Sequence, residues 1–316
     1  MTTPEPSISV RVDPANPGQF FACCGLLELA HRLRPGAEAR FEGTMFHIWT
    51  PRAVEPLGLT ALIQKLLDCQ FTGELSPQET EELDSLNADK KRLEAQQQKL
   101  PEKAEERRKS LDKQRREGAI TVGGPFSIRL DWWQVGEDDP ATVKTWSGQQ
   151  GNLDIALAAK LTLAQLPLAH DLGERLLPFS HVLKKAVGEE GDKHGARKKK
   201  RGKEEDAEPF YFDARRARSA LDIGFSPDVQ KMPVEAHPAV ELLCLIGLQR
   251  FRPAPTKKRR VFDYWTWTEP LPAAVASAAV AGALPARGDT RWRFRLLCRD
   301  NQCRYKAFDF ATPFRS

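Results

Sequence analysis

Asp13-Pro-Ala-Asn-Pro-Gly-Gln-Phe-Phe-Ala-Cys-Cys-Gly-Leu-Leu-Glu-Leu-Ala-His-Arg-Leu33 reads as one buried helix. Asn16 is a good N-cap, Pro17 suits a first helical turn, and Phe20, Phe21, Cys24, Leu27 and Ala30 or Leu33 share one stripe. Far downstream, His237-Pro-Ala-Val-Glu-Leu-Leu-Cys-Leu-Ile-Gly-Leu-Gln-Arg-Phe251 repeats the plan. Each stretch opens on a proline, carries a glycine after about two turns (Gly25, Gly247) and runs out at an arginine before Pro35 or Pro253. A helix glycine costs about 1 kcal/mol against alanine, so its matched position in both predicts that something packs close to the backbone there.

The segments around the two helices extend the parallel. Ser7 to Val12 alternates as a strand, and Ala39 to Phe41 with Met45 to Thr50 form a hairpin around Glu42-Gly-Thr. Leu57 to Cys69 is an amphipathic helix with Leu59, Leu62, Ile63, Leu66 and Leu67 on one side, and Pro125 to Trp133 alternates again. In the C-terminal half, Ala220 to Phe225, Arg260 to Thr268 and Thr290 to Cys298 read as strands and Pro272 to Ala281 as an Ala-rich helix. The motif Phe46-His-Ile-Trp-Thr finds a counterpart in Tyr264-Trp-Thr-Trp-Thr. The expectation is an α+β chain of two tandem ferredoxin-like (βαββαβ) halves. Residues 1–142 form the N-terminal half, residues 143–208 connecting helices and a basic loop, and residues 209–316 the C-terminal half.

Residues 76–118 interrupt the first half with eleven acids, eleven Lys or Arg and no aromatic residue. Ser76-Pro-Gln-Glu79 is a capping box and Pro101 breaks the helical run, so the segment predicts a protruding helical hairpin.

The chain has 316 residues and a formal charge of +5, but the charge is local. Lys193, Arg197, Lys198, Lys199, Lys200, Arg201 and Lys203 form a run without an acid, and without these seven the chain would carry −2. Such a run, inside a stretch without apolar periodicity, suits a flexible loop that holds a nucleic-acid backbone independently of its sequence. Val143 to Leu153 is a polar, Gly-containing turn that leads into a helix from about Leu153 to Leu166; its Lys144, Gln149, Gln150 and Asn152 suit phosphate or base edges. Phe210-Tyr-Phe-Asp-Ala-Arg-Arg-Ala-Arg218 follows aromatics with arginines. Tyr211, Arg215, Arg216 and Arg218 are thus candidates for stacking on bases and gripping phosphates, against the alternative of a buried aromatic strand with a basic turn. Arg304 and Lys306, in Asn301-Gln-Cys-Arg-Tyr-Lys306, repeat the theme near the C-terminus.

Enzyme signatures are missing: there is no phosphate-binding glycine loop, His-Glu-x-x-His or Gly-x-Ser-x-Gly, and the six histidines are scattered. The chain is therefore read as non-catalytic, with no metal or cofactor. The six cysteines sit mainly in apolar segments and read as free buried thiols. The apolar runs are too short to span a bilayer and the N-terminus has no signal-peptide pattern, so a cytoplasmic protein with no membrane partner is expected.

Several blocks together resemble the third Csb protein family of type I-U (I-G) CRISPR loci. They are Asn16-Pro-Gly-Gln-Phe-Phe-Ala-Cys-Cys-Gly-Leu-Leu-Glu-Leu, Phe210-Tyr-Phe-Asp-Ala-Arg-Arg with Ala220-Leu-Asp-Ile-Gly-Phe-Ser-Pro-Asp228, Ala239 to Pro253, Tyr264-Trp-Thr-Trp, and Asn301 to Phe308. The resemblance implies a variant large subunit of a Cascade-type effector, in which a guide RNA pairs with invading target DNA. The subunit would read the motif beside the target (the PAM), hold the opened strands of the R-loop and present them to the helicase-nuclease. Its other partners would be the backbone and guide-processing subunits. The family's motifs mark no catalytic residues. The inferred ferredoxin-like halves are also the build of repeat-associated guide-RNA-binding or guide-processing subunits, which is the alternative; a structural bridge touching only protein is a third.

Overall fold

The computed structural model describes residues 5–51, 57–133, 150–165, 181–184, 206–215, 235–284, 289–298 and 306–314. They form an α+β fold with seven helices and small antiparallel sheets. Its centre is the pair of helices recognised in the sequence, α1 (Pro17–Leu33) and α6 (Pro238–Arg250), which pack against each other along their length. Asn16 N-caps α1 by accepting the Gly18 N–H at 3.1 Å, and Pro17 occupies the first helical position. α6 starts the same way, with His237 at the N-cap and Pro238 after it.

Burial exceeds what one apolar stripe would require: every residue of α1 from Pro17 to Ala30, and of α6 from Pro238 to Leu248, is buried. A helix apolar all round is enclosed on all sides, and here the enclosure comes from both halves of the chain. The cost of adding a side chain at the crossing is set by the backbone. A Cβ on Gly25 would fall inside the Leu243 carbonyl and lie 3.2 Å from Gly247 N, while a Cβ on Gly247 would fall inside the Phe21 carbonyl and lie 2.8 Å from Gly25 N. The contact is reciprocal, since each glycine faces the carbonyl four residues before the other.

Against this pair lie two sheets. The first has the order β1 (Ile8–Arg11), β3 (Met45–Trp49), β2 (Glu38–Glu42) and β12 (Leu271–Pro272), the last being lent by the C-terminal half. The second has the order β10 (Ala254–Pro255), β11 (Val261–Trp265), β13 (Arg291–Cys298) and β14 (Lys306–Phe308), with β15 (Thr312–Pro313) also on β13. An aromatic core fills the space between. Phe20 stacks on Phe41 at 5.1 Å, lies 4.4 Å from Tyr264 and meets the edge of Trp267 at 6.2 Å. Trp267 crosses between the halves, donating Nε1–H to Ala39 O at 2.6 Å, while its own carbonyl accepts the Phe41 N–H at 2.8 Å. One contiguous core therefore takes described residues from both halves and from the segment between them.

α2 (Leu59–Asp68) buries the five residues expected of it, Leu59, Leu62, Ile63, Leu66 and Leu67. The strand expected over Pro125 to Trp133 is β6 (Ile128–Leu130), but it pairs with β5 (Ile120–Val122), and β5 with β4 (Phe71–Thr72), in a separate three-stranded sheet. A complete ferredoxin-like half would place the fourth strand beside β1, and among the described residues β6 does not lie there. In the second half the strand beside β11 is β13, which follows the helix α7 (Ala273–Val280). The segment 220–225, expected as a strand, lies outside the described residues. A further small sheet is made of β8 (Asp206–Ala207), β7 (His181–Lys184) and β9 (Glu235–Ala236), and α5 (Asn152–Gln165) packs between β7 and α6.

The insertion is a helical hairpin, α3 (Pro77–Ala95) and α4 (Glu102–Glu117). The capping box forms as read: the Ser76 hydroxyl accepts the Glu79 N–H at 3.2 Å and the Glu79 carboxylate accepts the Ser76 N–H at 3.0 Å. Only Leu83 and Leu111 are buried on the two helices, and neither belongs to the contiguous core. Surface ion pairs such as Arg107–Glu82 at 2.8 Å join the helices; exposed pairs of this kind contribute about 0–1 kcal/mol each. Replacing residues 78–116 by a short Gly-Ser link should accordingly leave the thermal midpoint within a few degrees. Insoluble or molten protein would show that the hairpin belongs to the folding core.

Cys23, Cys24, Cys69 and Cys244 are free and buried, as expected. Cys298 is disulfide-bonded, which corrects the expectation of free thiols throughout. Among the described residues no helix is long and apolar enough to cross a membrane.

Candidate nucleic-acid interface

The motif Phe210-Tyr-Phe-Asp-Ala-Arg215 lies at the joint between the starts of α1 and α6. Phe210, Tyr211 and Phe212 are all buried, so the aromatics fill core and are not displayed. Phe210 stacks on Phe212 at 5.4 Å and Phe212 meets Phe308 at 5.2 Å. The backbone here is irregular, with Tyr211 at φ 63; the N–H groups of Phe212 to Arg215 donate to side chains, while the Tyr211 carbonyl accepts the Phe308 N–H at 3.1 Å.

Asp213, fully buried, gathers most of these contacts. Asn16 Nδ2 donates to its Oδ1 at 2.7 Å, His237 Nδ1 lies 2.9 Å from its Oδ2, and Arg215 reaches it through Nε at 2.9 Å and Nη2 at 2.5 Å. Burial alone would raise the Asp213 carboxyl, but His237 and Arg215 hold it well below the usual carboxylate range. Glu241, one turn into α6, accepts the Asp213 N–H at 3.2 Å and the Phe212 N–H at 3.3 Å. Its complete burial, with the Asp213 charge nearby, pushes it up to about 8 against the pull of those backbone donors. Both helix caps and the intervening segment are thus tied into one polar joint.

The other sequence candidates are distributed differently. Arg215 is half-buried and engaged by Asp213, and the Tyr211 hydroxyl lies 3.4 Å from a Glu208 carboxylate oxygen. Gln150 accepts the Glu208 N–H at 3.1 Å. Asn152 is buried at the start of α5, donating to Gly118 O at 3.1 Å. Lys306 is also buried, with its ammonium 4.8 Å from the centre of the Trp132 ring. These five side chains are engaged within the chain and are not gathered on one open face. Lys144, Gln149, Lys193, Arg197, Lys198, Lys199, Lys200, Arg201, Lys203, Arg216, Arg218 and Arg304 lie outside the described residues.

A basic surface that the sequence reading passed over sits on the second sheet. Between Arg252 and Arg260 the chain carries five Lys or Arg and no acid, and the turn joining β10 to β11 exposes Lys257, Lys258 and Arg259. That turn is well ordered: the Thr256 N–H bonds Val261 O at 3.0 Å, the Thr256 hydroxyl accepts the Lys258 N–H at 3.1 Å, and Arg260 takes a left-handed conformation at φ 62. Along β13, Arg291, Arg293 and Arg295 alternate with Trp292, Phe294 and Leu296, of which Phe294 and Leu296 are buried. The period of two therefore puts all three arginines on the outer face. Arg291 and Arg293 bracket Asp263, with contacts at 2.5 Å and 2.7 Å, and Arg295 meets Asp309 at 2.8 Å. Phe314 lies across this row, 4.4 Å from the Arg291 guanidinium and 3.9 Å from that of Arg293. The alternation Arg-Trp-Arg-Phe-Arg in the sequence was the available signal.

Among the described residues no cluster of three or more His, Cys, Asp or Glu side chains is placed to hold a metal ion. The one close His–carboxylate pair found in this joint, His237 with Asp213, is 3% and 0% exposed, out of reach of a substrate proton. No protein-family model, curated protein or solved structure matches the chain.

Proposed function

We propose that the chain is a non-catalytic nucleic-acid-binding subunit of a guide-RNA surveillance complex of the type I-U (I-G) CRISPR kind, working in the cytoplasm. In this role it recognises target DNA beside the protospacer and stabilises the R-loop for the helicase-nuclease, with the guide RNA and the other Cascade subunits as partners. The observation that carries the proposal is the concentration of charge: seven Lys or Arg from Lys193 to Lys203 outweigh the net charge of the whole chain. The sequence blocks that resemble the third Csb family supply the biological setting. We also propose that the two halves are related copies of a ferredoxin-like unit. The proline-capped helices α1 and α6, and the reciprocal crossing at Gly25 and Gly247, support that descent.

Lys and Arg side chains bind phosphates through their charge, so the run contributes at every sequence and weakens with salt, by a log-log slope of roughly 0.7–0.9 per phosphate neutralised. Changing Lys193, Arg197, Lys198, Lys199, Lys200, Arg201 and Lys203 to Ser should weaken DNA binding by the assembled complex and flatten its salt dependence. Discrimination at the target-adjacent motif, which needs fixed groups, should survive. Equal affinity and an equal salt slope for the seven-fold variant would remove the basic run from the mechanism. A discrete product on incubating the protein with labelled guide precursor without metal would overturn the non-catalytic assignment in favour of guide processing.

A further inference from the structure

We infer that the outer face of the β10–β11–β13 sheet, with the Lys257–Arg260 turn at its end, is a binding platform for single-stranded nucleic acid. The site is separate from the 193–203 run and deepens the proposed function, since it rests on the chain binding nucleic acid. Two independent features meet on this sheet and the turn at its end. The first is charge: Arg252, Lys257, Lys258 and Arg259 are exposed with no acid between residues 252 and 262. The second is a row of arginines combined with aromatic planes. Arg291, Arg293 and Arg295 recur every second residue, about 6.8 Å apart on an antiparallel strand, a spacing comparable to successive phosphates of an extended single strand.

Asp263 and Asp309 fix these guanidiniums without cancelling the face. Asp263 is 3% exposed and serves two arginines, so that group of three keeps a positive charge and its arginines are held in place. Trp265 lies under Arg291, 5.2 Å from its guanidinium, and Phe314 is 37% exposed beside Arg291 and Arg293. Aromatic rings held among guanidiniums stack unpaired bases without regard to sequence, each contributing in the range typical of single-strand binders. An acidic protein surface would use the charge but not the rings, and a duplex keeps its base faces covered.

The test uses the full chain and fluorescence anisotropy with an oligo-dT probe of roughly twenty nucleotides, long enough to cover one such face. Lys257→Ser/Lys258→Ser/Arg259→Ser should weaken binding by roughly ten- to a hundredfold at 0.1 M salt and lower the salt slope by about 2, at about 0.7 per lost phosphate contact. Phe314→Ser should weaken oligo-dT binding several-fold while leaving inorganic polyphosphate, which has no bases, unaffected. Unchanged oligo-dT affinity in both variants, with thermal midpoints as in the parent, overturns the platform. So does equal loss of oligo-dT and polyphosphate in Phe314→Ser, or displacement of oligo-dT by polyglutamate as readily as by unlabelled oligo-dT. If the seven-fold variant of the 193–203 run alone loses binding, the platform fails and the proposed function stands; if the unaltered chain binds no nucleic acid, both fail.

Discussion

Gly25→Ala and Gly247→Ala should each destabilise the protein by about 3 kcal/mol or more, although alanine is the better helix former by about 1 kcal/mol. Each new methyl group would meet a main-chain carbonyl, Leu243 O or Phe21 O, and no side chain at the crossing can rotate away to admit it. Relief requires the two helices to separate, and they are buried on every side among both sheets. Overpacking a well-packed core costs about 1–3 kcal/mol when side chains can yield, which sets the lower bound. The reciprocal geometry adds a second outcome. Once one alanine has pushed the helices apart, the other finds space, so the double variant should cost at least about 1 kcal/mol less than the sum of the singles. Urea denaturation of the three variants reads both quantities. Near-native stability of either single variant would show that α1 and α6 do not cross at their glycines.

The joint at Asp213 should show comparable effects, with pH as an additional control. Asp213→Ala leaves His237, Arg215 and Asn16 without their shared acceptor in a buried site, and breaking such a pair from one side costs about 3–5 kcal/mol. Glu241 acts in the opposite sense. Its folded-state carboxyl lies at about 8, above the unfolded value of 4.5, so between those values the folded protein binds more protons than the unfolded chain. Stability must then fall as pH rises from about 5 to about 8 and level off above it. The Asp213 shift adds no slope there, because that carboxyl is ionised in both states above pH 5. His47, which burial holds below its usual value of 6.5, slopes the other way below that value. Glu241→Gln removes only the first contribution. The difference in urea midpoint between this variant and the parent should therefore grow in favour of the variant from pH 5 to pH 8. A constant difference across that range would show Glu241 to be ionised throughout.

Local sequence determined the elements whose signal is complete within a few residues. Asn16-Pro17 opens α1 because an N-cap side chain and a fixed φ act on the next turn alone. Ser76 to Glu79 caps α3 by two bonds across three residues, and the period of Leu59, Leu62, Ile63, Leu66 and Leu67 picks out the buried side of α2. Even the close backbone packing at Gly25 and Gly247 was visible, though not that each packs on the other's helix, because a glycine kept at the same place in two apolar helices has a cost that close packing offsets.

Tertiary structure decided how those elements were shared. The sequence could mark α1 and α6 as apolar but not show that both are enclosed on all sides, since that depends on sheets drawn from both ends of the chain. Nor does local patterning show that β12 completes the first sheet or that β6 leaves it, because strand pairing is a contest among distant edges. The same holds for the candidate interface. Phe210 to Arg215 has the composition of a base-stacking surface, yet its aromatics fill the core and Arg215 is drawn to Asp213. Meanwhile Arg291, Arg293 and Arg295 look like ordinary strand alternation until pairing with β11 sets them beside Asp263, Trp265 and the Lys257–Arg260 turn. Residue type sets what a side chain can do, but burial and neighbours across the fold set which of those things it does.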